Sequence, residues 1–149
     1  MRVMEEYRRS SHCLFDLKVH VVWITKYRKP ILIGQDALRV RDMVRKICAD
    51  LEVDILAGNI RRDHIHLLLS YPPQLCISRL VQKMKGITSR KLLQESNKLR
   101  KELWGRHLWA RGYFAVSTGH VTEEVIAEYI KNQDEFERRR ATDNFSVGF

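Results

Sequence analysis

Residues 64–69 alternate in a pattern that constrains the fold more than any other stretch of the chain. Side chains two positions apart on a β-strand point to the same face of the sheet. His64 and His66 therefore project together, whereas Ile65, Leu67 and Leu69 project to the opposite side. We predict a strand with a buried apolar face and a pair of imidazoles on the other face.

The segments on either side of this strand show the periods of strands and helices in turn. The predicted elements are a strand at 17–26, a helix at 35–51, a strand at 53–60, the histidine strand, a helix at 77–93, a strand at 113–117 and a last helix that Thr122 caps. Residues 61–63 form a tight connection, so that the strand at 53–60 and the histidine strand make a hairpin. The order predicts an α+β, ferredoxin-like fold (split βαβ, a β-α-β-β-α-β antiparallel sheet) with an additional C-terminal helix.

The length of 149 residues predicts one domain. We divide it into an N-terminal arm at 1–16, a ferredoxin-like core at 17–118, a helix at 122–140 and a tail at 141–149. No apolar run is long enough to span a bilayer, and residues 1–11 lack the apolar stretch of a secretion signal. Three scattered cysteines, Cys13, Cys48 and Cys76, have no pairing or zinc-binding spacing. We expect a cytoplasmic protein with reduced thiols and no contact with a membrane.

The net charge of +9 is concentrated in one part of the chain. Residues 79–111 contain ten lysines and arginines but only two acidic residues, which is typical of a phosphate-binding face. Aromatic residues and a histidine lie among or just after these cations, at Trp104, His107, Trp109, Tyr113 and Phe114. Aromatic rings beside cations suit unpaired bases, so the pattern indicates single-stranded nucleic acid.

Two imidazoles provide half of a divalent-metal site, and the last helix offers further groups. Tyr129 and Gln133 are four residues apart and therefore share a helix face. The Gln133 carbonyl can bind a metal, and the Tyr129 phenol can attack a metal-polarised phosphate to form a phosphotyrosine. Such a nitrogen and oxygen donor set suits Mg²⁺ or Mn²⁺. The spacing alone leaves this chemistry open, because each of these features also occurs for structural reasons.

Five blocks of sequence, taken together, resemble the single-tyrosine HUH transposases of the smallest bacterial and archaeal insertion sequences, a family with a branch associated with repetitive extragenic palindromes. The blocks are Lys26–Pro30, Asp63–Leu68, Lys85–Arg90, Trp109–Phe114 and Glu128–Gln133. The resemblance spans residues 17–134 in a consistent order and implies the same ferredoxin-like fold. It does not extend to residues 1–12 or 141–149.

The resemblance implies that His64, His66 and Gln133 bind the metal and that Tyr129 is the nucleophile. It implies a homodimer in which the helix carrying Tyr129 completes the partner's histidine site. The substrate would be single-stranded DNA with hairpins near the ends of the insertion sequence. Cleavage would leave a 5′-phosphotyrosine and a free 3′-hydroxyl, so that rejoining needs no nucleotide cofactor. From charge and position, the candidate DNA contacts are Lys83, Lys85, Arg90, Lys91 and Arg111.

Other classes of protein fit less well. A histidine-triad hydrolase needs a histidine at the position of Leu68, and a two-histidine phosphoesterase needs a second His-x-Ser/Thr motif, which neither His20 nor His66 begins. Replication initiators and relaxases share the chemistry but are usually longer. The main alternative is a non-catalytic single-stranded nucleic-acid-binding module on the same fold. Such a module would tolerate Tyr129→Phe, whereas a transposase would lose cleavage.

Overall fold

A computed structural model describes residues 7–104, 107–117 and 124–132. The strands are β1 (Arg8–Ser10), β2 (Cys13–Phe15), β3 (Lys18–Ile24), β4 (Asp54–Ile60), β5 (His64–Ser70) and β6 (Phe114–Val116). The helices are α1 (Gly34–Asp50), α2 (Ile77–Glu95), α3 (Asn97–Leu103) and a helix at residues 124–132, here called α4.

Four of the strands form one sheet in the order β4-β5-β3-β6, in which every neighbouring pair is antiparallel. With β3 and β5 at the centre, and α1 and α2 connecting strands as crossovers, this is the split βαβ arrangement. The predicted ferredoxin-like fold is confirmed. β4 and β5 form the predicted hairpin, and a register irregularity between Ile55 and Ala57 interrupts their ladder.

One face of the sheet forms the main core with α1 and α2. Val21, Trp23 and Ile65 on the central strands are completely buried there, against residues such as Val40 of α1 and Leu80 of α2. The alternation of apolar residues in β3 and β5 produces this face, because every second side chain points toward the helices. Burial of this apolar surface is the main source of stability for the domain.

Trp109 belongs to this core, which corrects the expectation that its ring is available to bases. Its ring meets Trp23 edge-on, with centroids 5.8 Å apart, and its indole nitrogen donates a hydrogen bond of 2.9 Å to the buried Thr88 hydroxyl. A buried tryptophan needs such an acceptor for its N–H group. Trp104, by contrast, is 85% exposed at the C-terminal end of α3.

The opposite face of the sheet carries the histidines and α4. Val22 and Ile24 of β3 pack there against Ile126 and Ile130, which are one helical turn apart on α4. This second, smaller cluster attaches α4 to the sheet. It places the helix predicted to carry the nucleophile on the same side of the sheet as the imidazole pair.

The structure differs from the sequence-based expectations in two segments, the N-terminal arm and the connection at 94–111. Residues of the expected N-terminal arm form a two-stranded hairpin, β1–β2. Arg8 fastens this hairpin to the domain, because its guanidinium donates hydrogen bonds to the carbonyls of Ser70 and Glu52. The expected connection at 94–111 contains α3, which begins at a cap where the Ser96 side chain accepts a hydrogen bond from the Leu99 amide.

Part of the last predicted helix lies outside the described residues. Residues 124–132 are helical, while Thr122 and Gln133 are not among the residues that the structure describes. The proposed division into arm, core, helix and tail stays a prediction. None of the helices found in the described ranges is long and apolar enough to cross a bilayer.

Candidate active site

The two predicted metal ligands lie side by side on β5, as the alternation indicated. In the register of the sheet, Ile24 of β3 is opposite His64 and Val22 is opposite His66. Both imidazoles line a cleft of about 490 Å³, here called the histidine cleft. Its walls include Asn59, Arg61, Arg62, Asp63 and, from α4, Ile126.

Each imidazole has a hydrogen-bond partner on one ring nitrogen. His64 Nδ1 lies 2.8 Å from a carboxylate oxygen of Asp63. His66 Nε2 lies 3.1 Å from Nδ1 of His20, so one of these two nitrogens donates to the other. His20 is buried on the same sheet face, one strand away on β3. These contacts fix the orientation of both rings relative to the sheet.

The donor chemistry of the cleft fits an open divalent-metal site. His64 and His66 supply two nitrogen donors from adjacent positions on one rigid strand face, and Asn59 faces His66 from β4. No cluster of three histidine, cysteine or carboxylate side chains suited to a metal occurs in the described ranges. Two protein nitrogens therefore leave coordination positions for an amide oxygen, water or substrate oxygens, as Mg²⁺ and Mn²⁺ require.

Tyr129 lies on α4, on the histidine side of the sheet. Its ring packs against Phe114 of β6, with centroids 5.5 Å apart, and it is half-buried. Ile126 lies one turn earlier on the same helix and, among the described residues of α4, is the one that lines the histidine cleft. Gln133, the third predicted ligand, falls outside the described residues, so its role stays a prediction.

A second depression, here called the basic cleft, lies between α2 and the segment at 107–111. Its volume is about 440 Å³, and its walls include Lys26, Lys85, Arg90, His107 and Arg111. Three of the predicted DNA-contact residues are thus brought together: Lys85, Arg90 and Arg111. Lys83 and Lys91 are on the same helix, α2, but are not among the residues that line this cleft.

Lys85 also has a structural role that its charge alone did not indicate. Its ammonium group donates hydrogen bonds to the carbonyl oxygens of Ala110 and Gly112, at 2.8 and 2.9 Å. These bonds hold the wall at 110–112 against α2. Burial disfavours the charged form and lowers the pKa of Lys85 to about 8.

Several residues at the site were not singled out from the sequence. The sequence places Asp63 in a connection and in a matched block and gives His20 no role at the site, yet each contacts a predicted metal ligand. Arg61 and Arg62 add positive charge to the histidine cleft. The position of Asp63 directly before the His-x-His pair was an available signal, whereas the contact of His20 depends on the register of β3 against β5, which the sequence does not specify.

Comparison with known proteins assigns the class to which this fold and site belong. The family model described as "Transposase IS200 like" matches residues 13–133. The chain belongs to this family and is therefore a transposase, an enzyme that cuts DNA and transfers its strands.

Individual relatives agree with this assignment. The chain is 31% identical to the ISDra2 transposase TnpA of Deinococcus radiodurans over 89% of its own length and 94% of that protein. It is 32% identical to the transposase for insertion sequence element IS200 of Salmonella typhimurium, covering 87% of this chain and 85% of that protein.

Solved structures show the same fold. A crystal structure of a transposase from Deinococcus radiodurans R1 superposes with a TM-score of 0.77 at 29% identity, covering 85% of this chain and 97% of the other. A REP-associated tyrosine transposase bound to a REP hairpin gives a TM-score of 0.53 at 15% identity, over 77% of this chain and 62% of the other. At that identity the second likeness concerns the fold alone.

Proposed function

We propose that this transposase cleaves and rejoins single-stranded DNA with a divalent metal and a covalent 5′-phosphotyrosine at Tyr129. The main support is that His64 and His66 lie together in one cleft, on the face of the sheet that α4 covers. The family assignment supplies DNA cutting and strand transfer as the general activity. The paired imidazoles and the tyrosine give that activity a specific chemical route.

His64 and His66 would hold the metal, Mg²⁺ or Mn²⁺, with the Gln133 side-chain oxygen as a further ligand. When bound, the cation supplies Lewis-acid polarisation of a non-bridging phosphate oxygen and stabilisation of the leaving oxygen. Arg61 and Arg62 line the same cleft and supply positive charge for the phosphates that flank the reacting one. A phosphodiester bound in this cleft would then lie between the imidazole pair and these arginines.

Tyr129 would act as the nucleophile. Its phenol oxygen loses its proton and attacks phosphorus, the bond from phosphorus to the 3′-oxygen breaks, and the released 3′-oxygen takes up a proton. The products are a 5′-phosphotyrosine and a free 3′-hydroxyl. Because the phosphodiester bond energy is kept in the phosphotyrosine, a 3′-hydroxyl can reverse the step and rejoin the strand without a nucleotide cofactor.

The basic cleft would bind the DNA hairpins near the ends of the insertion sequence. Lys26, Arg90 and Arg111 give it several cations within one depression. A solved neighbour with the same fold is described as bound to a REP hairpin, which makes hairpin DNA a reasonable ligand to test. Lys83 and Lys91 would extend the contact with the phosphate backbone along α2.

We further propose a homodimer in which each Tyr129 serves the histidine cleft of the partner. Within one chain, the ring of Tyr129 packs on β6, whereas the histidines lie on β5, and β3 separates these two strands. Neighbouring strands are about 4.8 Å apart, so β5 and β6 are separated by roughly 10 Å across the sheet. A second copy whose α4 lies against the partner's histidine cleft would bring the nucleophile to that cleft.

The test is incubation of the protein with a labelled single strand that carries a hairpin and the element's end, with Mg²⁺ or with EDTA. We expect a metal-dependent protein–DNA adduct on a denaturing gel, absent for Tyr129→Phe and for His64→Ala. Tyr129→Phe removes only the hydroxyl and keeps a ring to pack on Phe114, so its loss of activity is not expected to reflect misfolding. DNA retardation on a native gel without any adduct would instead support a non-catalytic binding module.

A further inference from the structure

Asp63 lies between a cation and one of the two proposed metal ligands. One of its carboxylate oxygens lies 2.8 Å from Nδ1 of His64, and the other accepts a hydrogen bond of 3.4 Å from Nε of Arg28. The Asp63 side chain is 23% exposed and that of His64 is 18% exposed, so solvent competes only partly for the contact between them. The three side chains form a continuous chain from the surface to the histidine cleft.

The backbone holds Asp63 in this position. Its carbonyl oxygen accepts a hydrogen bond of 2.9 Å from the amide of Thr25. The Thr25 hydroxyl lies 3.2 Å from the same oxygen and shares its single proton between this carbonyl and that of Lys29. Thr25 is completely buried and follows directly after β3. The backbone of Asp63 is therefore anchored at the end of β3, the central strand that pairs with β5.

The turn that carries Arg28 is strained. Tyr27 and Arg28 have φ values of 56° and 53°, in the left-handed region that non-glycine residues avoid. Such strain persists only where the surrounding structure holds it, and it is frequent at functional sites. Here the Thr25 hydroxyl donates a 2.8 Å bond to the Lys29 carbonyl, and the Lys26 amide donates to the Leu108 carbonyl, so both sides of the turn are held.

We propose that Asp63, supported by Arg28, is a positioning residue that fixes the tautomer and ring orientation of His64 for metal binding. An ionised carboxylate can only accept hydrogen bonds, so Nδ1 of His64 carries the proton and Nε2 keeps the lone pair. Metal-binding histidines commonly donate their other N–H group to a carboxylate in this way, and loss of that carboxylate typically costs 10–100-fold in metal affinity. The expected effect on metal binding rests on the proposed function, whereas the expected effect on the His64 tautomer is independent of it.

An ordinary surface ion pair offers a direct comparison. Arg39 of α1 donates two hydrogen bonds to Glu95 of α2, at 2.8 and 3.0 Å, which is tighter geometry than that of Arg28 with Asp63. Neither Arg39 nor Glu95 lines the histidine cleft. Arg39→Ala therefore removes a comparable pair without touching the site and serves as the control.

The experiment measures the His64 tautomer in the metal-free protein by long-range ¹H–¹⁵N NMR, at a pH well above the usual imidazole range. We expect the Nδ1–H form in the wild type, a shift toward the Nε2–H form in Asp63→Ala, and a smaller shift in Arg28→Ala. Asp63→Asn retains an oxygen acceptor and should keep most of the wild-type tautomer. Arg39→Ala should leave the tautomer unchanged.

Mn²⁺ titration followed by calorimetry gives the second measurement. We expect affinity to fall roughly tenfold or more in Asp63→Ala, partly to recover in Asp63→Asn, and to stay unchanged in Arg39→Ala. An unchanged tautomer in folded Asp63→Ala and in Arg28→Ala, or unchanged Mn²⁺ affinity in Asp63→Ala, would overturn the inference. If the wild type binds no Mn²⁺, the proposed metal chemistry fails, and the tautomer alone decides whether Asp63 orients His64.

Discussion

The ring of Tyr129 packs on Phe114 at the β6 edge of the sheet, with ring centroids 5.5 Å apart, while the histidine pair occupies β5 on the far side of β3. This separation within one chain makes the composite site testable by mixing variants. His64→Ala and Tyr129→Phe should each be inactive, and their equimolar mixture should regain cleavage. In a symmetric dimer with random exchange, about a quarter of the sites are then intact.

Cleavage by the mixture requires exchange of subunits, so the two variants should be co-expressed with different tags and the mixed dimer purified. A double variant that carries both changes in one chain, mixed with wild type, is the matched control for exchange. An inactive mixed dimer of correctly folded subunits would show that each chain uses its own tyrosine.

Thr88 is predicted to be important for stability because it accepts the hydrogen bond of the buried Trp109 indole. Thr88→Val keeps the shape of the side chain but leaves that N–H group without its acceptor. We expect the free energy of unfolding to fall by about 1–3 kcal/mol, measured by urea denaturation. Trp109→Phe should cost less in the Thr88→Val background than in the wild type, since the bond is already lost. Strictly additive effects would contradict a coupled pair.

Lys85 should make a pH-dependent contribution to stability. Its pKa is about 8 in the folded protein, against an ordinary value of 10.5, because of burial. Between these two values the unfolded chain binds more protons than the folded one, so the contribution of Lys85 to the free energy of unfolding rises with pH. The free energy of unfolding of the wild type minus that of Lys85→Met should therefore become more positive from pH 8 toward pH 10.5, measured by denaturant unfolding. If this signed difference stays constant or becomes more negative over the same range, the burial of the ammonium group is contradicted.

Arg90 should contribute to DNA affinity through phosphate contact in the basic cleft. Arg90→Ala should weaken binding of a hairpin oligonucleotide and reduce the slope of log affinity against log salt by roughly one. Lys46→Ala is the control, because Lys46 is an exposed cation on α1 that pairs with Asp50 and does not line the cleft. Equal effects of the two changes in a salt titration would show that general charge, and not the cleft, governs binding.

The sequence predicted the architecture well because its signals are local and periodic. The alternation through His64 and His66 assigns their common face without any knowledge of neighbouring strands. The order of strand and helix periods was sufficient for the ferredoxin-like sheet. α3 was missed although Ser96 and Asn97 are good capping residues, since the charged composition of 94–111 indicated a connection.

Long-range contacts account for what the sequence did not predict. Arg8 contacts Ser70 and Glu52, far along the chain, and these contacts attach the hairpin that replaces the expected arm. The partnership of His20 with His66 depends on the register of β3 against β5. Trp109 is an aromatic residue among cations, which is typical of a base-stacking position. Only its packing against Trp23 shows that it belongs to the core. The role of Gln133 stays a prediction.

The most direct test of the central claim identifies the residue that carries the DNA. The wild-type protein would react with a hairpin-bearing single strand and Mg²⁺, and nuclease and protease digestion would precede peptide mass spectrometry. We predict that the nucleotide remnant is attached through its 5′-phosphate to the peptide containing Tyr129, and that Tyr129→Phe yields no adduct. Attachment to any other residue, or cleavage of the DNA by Tyr129→Phe, would contradict the phosphotyrosine mechanism.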